Sequence, residues 1–287
     1  MYNPLMAIYR FTVGPFHYSV ESTISNVQAA MERMYVDYPK SAPGTWDDFH
    51  LRAFRKHRFS RLARLAIDSE EPFAPFPVEQ AAPVVEWGMN WAIWLNLSHW
   101  LVFHAAMLEK NGKGLILAAD SGDGKSTLAA ALAFRGWRLL SDELTLIDPA
   151  DCRMVPIPRP ICLKNDAIRI LRDFLPEAVF SNEYPDTNKG RVAHIRPPKE
   201  AVLRMGERVT PRWIVFPKYL PDSPPVWTPW EKAEAVVKLG QNGVDYSTLG
   251  VRGFETLTSV IGGCVCRKFE YSRLDDALRE FESLSEI

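Results

Sequence analysis

A short apolar run, Leu115-Ile-Leu-Ala118, leads into the small-residue stretch Ala119-Asp-Ser-Gly-Asp-Gly124. Lys125 and Ser126 then open an Ala- and Leu-rich segment that reaches about Arg135. Apolar strand, tight loop and helix start, in that order, leave little choice of local fold. Successive backbone N–H groups of such a loop point into one concavity, and the helix dipole adds positive potential there. The pattern is that of a phosphate-binding loop. Ala119, Asp120, Ser121, Gly122, Asp123, Gly124, Lys125, Ser126 and Thr127 are therefore the expected nucleotide-binding residues. Lys125 would hold the outer phosphates and the Ser126 hydroxyl would ligate Mg²⁺. Ala119 stands where this motif usually begins with Gly, which is tolerable at negative φ, since only positive φ strongly demands Gly.

Downstream, Arg138-Leu-Leu-Ser-Asp-Glu143 reads as a strand ending in two acids, followed by a further apolar strand from Leu144 to Ile147. In a parallel sheet such a strand delivers its acids to the same edge as the loop. One carboxylate, expected to be Asp142, can join Ser126 in holding Mg²⁺. The other can orient an attacking hydroxyl or accept its proton. Asp142 and Glu143 are both catalytic candidates, and which one takes the proton stays open. Adjacent strand residues point to opposite faces, so only one acid reaches the phosphates unless the strand has already ended.

Phosphoryl transfer develops charge on the moving group and calls for cations beyond the loop lysine. Arg159, stiffened between two prolines, and Lys164, after a strand end, are candidate phosphate contacts. Thr187-Asn-Lys-Gly-Arg-Val-Ala-His-Ile-Arg196 offers Lys189, Arg191, His194 and Arg196. It reads as an acceptor-binding loop in which Gly190 lets the backbone approach a ligand. Trp87, Trp91 and Trp94 recur at helical spacing and read as core packing.

The remaining sequence bounds these readings. With 287 residues and a formal net charge of −1, the chain shows no broad electrostatic footprint for nucleic acid. The most apolar stretch, 81–108, is interrupted by Glu86, Asn90, Asn96, His99 and His104, so it reads as a core helix leading into a strand rather than a membrane span. No secretory signal is visible, and the four cysteines form no zinc pattern, which together imply a cytoplasmic protein. Residues 1–78 are expected to form a small β-rich α+β domain. It has a strand pair around Gly14-Pro15, a helix from Asn26 to Tyr35, further strands at 48–54 and 61–67, and a proline-dense linker at 70–77. Residues 79–287 alternate strands and helices as an α/β domain does and end in an amphipathic helix behind a Ser272 cap.

The segment from His104 to Glu143 resembles the HPr kinase/phosphorylase family, whose nucleotide fold is related to that of phosphoenolpyruvate carboxykinase. His104-Ala-Ala, the loop to Lys125-Ser126 and Arg135-Gly-Trp-Arg-Leu-Leu-Ser-Asp-Glu143 align without a gap with that family's His-Gly start, Gly-Asp-Ser-Gly-x-Gly-Lys-Ser loop and Arg-Gly-His-Arg-Leu-x-Ala-Asp-Asp segment. The resemblance makes Asp142 the first acid of a catalytic pair and His104 an active-site histidine behind it. Glu143 replaces the second Asp, Thr127 replaces a Glu, and Pro156-Ile-Pro-Arg-Pro-Ile-Cys-Leu-Lys-Asn165 stands in place of the family's Ile-Arg-Gly-Leu-Gly stretch. Over most of its length the chain is similar to the divergent HPr kinase-related kinase A branch, in Trp87-Gly-Met-Asn-Trp91, Pro158-Arg-Pro160 and Lys189-Gly-Arg-Val-Ala-His194. This implies an ATP- and Mg²⁺-dependent kinase with a P-loop core, acting on a Ser or Thr hydroxyl of a peptide or small protein. The alternatives are a small-molecule kinase of the same fold and an inactive nucleotide-sensing module. No nucleic-acid or membrane partner is expected, and a homo-oligomer remains open.

Overall fold

The computed structural model describes residues 6–42, 44–96, 99–120, 122–241, 243 and 246–286. They form a mixed α/β fold of several sheets with, among the described residues, eight α-helices. Strands β1 (Ala7–Val13), β2 (Phe16–Ser22), β3 (Phe49–Arg55), β4 (Leu62–Ile67) and β5 (Phe76–Pro77) make the first sheet, in that order. The β1–β2 hairpin turns at Gly14-Pro15, with Val13 opposite Phe16. β2 and β3 run parallel, so the chain needs the crossover that helix α1 (Ser25–Met34) supplies. The proline-dense stretch ends as β5, paired with β4.

Helix α2 (Ala81–Asn96) packs Ala81, Val84, Val85, Met89, Ala92 and Ile93 on this sheet. A Cβ on Gly88 would overlap the Leu65 side chain and lie 3.2 Å from Leu51 Cδ2, so the close approach of helix to sheet needs a residue without a side chain here. The same core continues into Val102, Leu144, Leu146, Val155, Ile157 and Val202. The expected boundary after residue 78 thus falls directly before a helix that covers the first sheet. The reading of three tryptophans as core is corrected for two of them. Trp91 and Trp94 are 37% and 44% exposed, because the small aliphatic residues of α2 already fill its inner face. Trp87 is partly buried against the core.

The chain then forms β6 (Leu101–Phe103), β7 (Ala106–Lys110), β8 (Lys113–Leu117), α3 (Lys125–Ala133), β9 (Arg138–Ser141) and β10 (Thr145–Ile147). Next come β11 (Ile161–Lys164), α4 (Asp166–Phe174), β12 (Tyr184–Thr187), β13 (Gly190–Ile195), α5 (Lys199–Leu203) and β14 (Thr210–Tyr219). The C-terminal part holds β15 (Val226–Pro229), α6 (Lys232–Gln241), α7 (Tyr246–Gly263), β16 (Val265–Tyr271) and α8 (Leu274–Ser285).

The largest sheet has the order β15-β16-β14-β8-β7-β9. Its alternating residues divide two cores. Leu115, Leu117, Trp213 and Val215 meet α3 and α8, whereas Ile116, Ile214 and Phe216 meet α6 and α7. The parallel sheet expected around the loop is in fact mixed. Asn111 and Gly112 both adopt positive φ (53° and 76°), the signature of a tight hairpin turn, and fold β7 antiparallel against β8. β9 is antiparallel to β7 in turn, so β8 and β9 still end at one edge. Ser272 does not cap α8. Arg273 holds the cap position without a side-chain bond, and the Ser272 hydroxyl donates to the Ser223 carbonyl (2.7 Å). All four cysteines are free thiols. Among the described residues, no helix is long and apolar enough to cross a membrane.

Candidate functional site

The loop after β8 is seated on the ends of the parallel strands β14 and β16. The Tyr219 N–H, at the end of β14, donates to the Asp123 carbonyl (3.1 Å), and the Tyr271 hydroxyl, at the end of β16, donates to the Gly124 carbonyl (3.4 Å). Gly122 and Gly124 have φ of 103° and 87°, while Ala119 is not among the positive-φ residues, so the alanine there carries no strain. Ser121 lies outside the described residues. Leu128 N–H to Gly124 C=O (2.9 Å) is the first bond of α3, leaving the N–H groups ahead of it without an intrahelical acceptor. Ser126 and Thr127 follow Lys125 in this first turn, and both are partly buried. A Cβ on Gly124 would sit 2.8 Å from the Tyr271 hydroxyl and force a left-handed residue to carry a side chain. Gly124→Ala is therefore expected to lower stability by about 1–3 kcal/mol, as read by thermal unfolding.

Asp142 and Glu143 follow the last residue of β9, so strand alternation no longer separates them. The Lys125 ammonium donates to the main-chain carbonyl of Asp142 and lies 3.4 Å from its Oδ1, with both side chains buried. Asp142 Oδ2 is buried without a hydrogen-bond partner among the described residues. An orphaned carboxylate oxygen is costly in such a place, and its spare acceptor capacity suits a cation or a proton. Among the described residues no group of three or more His, Cys, Asp and Glu forms a metal cage. A Mg²⁺ ion carried by phosphate groups would need only one or two protein ligands, and Asp142 and Ser126 could supply them.

Glu143 accepts a hydrogen bond from the Asn90 side-chain amide of α2, and Lys189 Nζ lies 3.8 Å from its Oε1. Burial alone would raise the Glu143 pKa. Lys189, Lys125, Arg159 and His104 outweigh it and hold the carboxyl below its ordinary value. His104 is pushed down by surrounding protein and by Lys125, against the pull of Glu143 and Asp142. Among the described residues it makes no hydrogen bond to Asp142, so its link to that residue is electrostatic.

The basic residues divide into three groups. Lys189 reaches the site and also lies over the Trp87 ring at 4.8 Å. Lys164 ends β11, and its charge bears on His104. Arg159 is buried and turned inward onto α2, bonded to Asn90 Oδ1 (2.9 Å) and paired with Glu86 Oε2 (3.0 Å), rather than open to the loop. Arg191 and Arg196 face other partners, Glu183 (3.7 Å) and Asp37 (3.7 Å). The segment read as a loop is the β12–β13 hairpin. The close approach that Gly190 permits is to the Asn165 side chain, where a Cβ would collide.

His194 lies in β13, 3% exposed, with Nε2 unpartnered among the described residues. Burial holds its pKa below the ordinary 6.5, so the folded chain resists a proton that the unfolded chain accepts. Stability is then full above that value and falls as the pH drops through it. The urea midpoint is expected to decline between about pH 7 and pH 5, and less steeply in His194→Gln.

Several residues of the site were not singled out by sequence. Glu86 is legible only as a polar break in an apolar run, and Asn90 as such a break and as part of the Trp87-Gly-Met-Asn-Trp91 stretch, with no role at a site. Tyr219 and Tyr271 brace the loop. Lys238 of α6 bonds both carboxylate oxygens of Asp120 (2.7 and 2.8 Å) and ties that helix to the loop.

A family model described as SynChlorMet cassette protein ScmC matches residues 88–158, less than half of the chain but inclusive of the loop and both acids. Among solved structures, the chain is similar to the Hpr(Ser) kinase/phosphatase from Coxiella burnetii. That match has 14% identity and a TM-score of 0.30, and it covers 64% of this chain and 97% of the other. No curated protein matches.

Proposed function

We propose that this chain is an ATP- and Mg²⁺-dependent kinase that transfers the γ-phosphoryl group to a Ser or Thr hydroxyl of a peptide or small protein. Residues 79–287 would form the kinase domain, on the P-loop fold that HPr kinase shares with phosphoenolpyruvate carboxykinase. The observation that carries the reading is the juxtaposition of Lys125, at a free helix start, with Asp142, whose buried Oδ2 lacks a partner. A purely structural ion pair has no reason to leave that oxygen unsatisfied beside the open first turn of a helix.

In this reading the loop N–H groups and Lys125 bind the phosphates, and Lys125 leaves Asp142 to do so. Mg²⁺, when bound by Ser126 and Asp142, neutralises phosphate charge. The acceptor oxygen attacks the γ-phosphorus, the bond to the β,γ-bridging oxygen breaks, ADP departs and the hydroxyl proton passes to a carboxylate of the Asp142-Glu143 pair. Lys189 and Lys164 add cations on the acceptor side, where charge builds. The exposure of His104 and Tyr219 favours an extended acceptor over an enclosed small molecule.

The test is transfer of label from γ-labelled MgATP into Ser- and Thr-containing peptides and small proteins encoded beside the gene. Asp142→Asn is expected to bind MgATP yet transfer about 10²-fold or more slowly. Full transfer by that variant would remove Asp142 from the mechanism. MgATP binding with no acceptor labelled would favour the sensing module.

A further inference from the structure

Helix α2 is apolar along most of its length, yet carries Glu86 and Asn90 one turn apart on one side. Both meet the same guanidinium. Arg159 donates from Nη2 to the Glu86 carboxylate (3.0 Å) and main-chain carbonyl (2.8 Å), and from Nη1 to Asn90 Oδ1 (2.9 Å). Glu86 is further satisfied by the Tyr35 hydroxyl, 2.8 Å from Oε1. The prolines around Arg159 stiffen its backbone, and the Tyr38 hydroxyl anchors the segment at the Pro158 carbonyl (2.8 Å).

This arrangement settles which end of the Asn90 amide faces the site. A guanidinium only donates, so it must take the amide oxygen, and the NH₂ is left to point at Glu143. Glu143 thereby receives a neutral donor on Oε2, while Oε1 remains on the side of Lys189. The order is Glu86, Arg159, Asn90, Glu143: an anion and a cation, fixed in the interior, set the orientation of an amide that holds an anion at the surface of the site.

We infer that Asn90, locked by Arg159, is the positioning residue for Glu143, so that the helix covering the first sheet orients the acid on the acceptor side of the loop. Its relevance to phosphoryl transfer rests on the kinase reading above, whereas its hold on Glu143 can be measured without nucleotide. Two side chains joined by a direct hydrogen bond respond non-additively when both are changed. A role confined to packing α2 on the sheet predicts additive losses.

The experiment is a double-mutant cycle in urea unfolding of the full chain, with Asn90→Ala, Glu143→Gln and the two combined. The double variant is expected to lose little more than the larger single loss, because either change alone already breaks the bond between the two side chains. Arg159→Lys keeps the charge but loses the planar fork, and should shrink the coupling between the two positions. Losses that simply add overturn the inference. Where Asn90→Ala does not fold, the near-isosteric Asn90→Asp replaces it: it should cost less stability together with Glu143→Gln than alone, and an equal cost in both overturns the inference. Calorimetry of the unaltered chain with MgATP runs alongside. Absent binding sinks the kinase reading and leaves the cycle to judge Asn90 by itself.

Discussion

Lys125→Ala is expected to lose at least about 10²-fold in phosphate transfer and to unfold more easily as well. The first loss follows, in the proposed reaction, from removing the cation assigned to the outer phosphates. The second follows from Asp142, which is 4% exposed and would lose the cation that neutralises it inside the protein. Removing one partner of a buried pair costs about 3–5 kcal/mol, because the other charge stays behind. The two losses separate in a double variant. Adding Asp142→Asn to Lys125→Ala removes the stranded charge and should recover much of the stability, with no return of transfer. Transfer that survives Lys125→Ala would mean that phosphate is held elsewhere.

Arg159→Leu should be the most destabilising single change away from the loop. It strands the Glu86 carboxylate, 7% exposed, with Tyr35 as its remaining side-chain donor, and leaves Asn90 Oδ1 without its donor. The expected cost is again about 3–5 kcal/mol. For a chain of this size that lowers the melting midpoint by roughly 5–8 °C. Leucine at both Glu86 and Arg159 should regain much of the loss, since an apolar replacement of a whole buried pair is often neutral. Near-native stability in Arg159→Leu alone would show that Arg159 does not carry the interior network described here.

The local parts of this site were legible in the sequence because they are made by consecutive residues. Strand, loop and helix from Leu115 to Ala133 depend on the glycines of the loop and on an apolar run next to it. The antiparallel β7 was legible in principle too, because Asn111-Gly112 is a hairpin-turn dipeptide. Arg159 is a different matter. Its flanking prolines suggested rigidity, which is compatible with either direction of the side chain. Only the distant Glu86 and Asn90 decide that it turns inward. A signal for them existed, because a polar residue inside an apolar helix implies a buried partner. Spacing does not say which partner. For Trp91 and Trp94, helical periodicity located a face without telling whether that face was inside. The smaller residues on the opposite side of α2 had already filled the available space.

The most direct test of the central claim is to locate phosphate on an acceptor by mass spectrometry after incubation with MgATP. The unaltered chain should leave a phosphorylated Ser or Thr on a peptide or small protein, and neither Lys125→Ala nor Asp142→Asn should do so at a comparable rate. Phosphate deposited equally by all three proteins, or MgATP that none of them binds, would contradict the assignment of this loop and its acid pair as a phosphotransfer site.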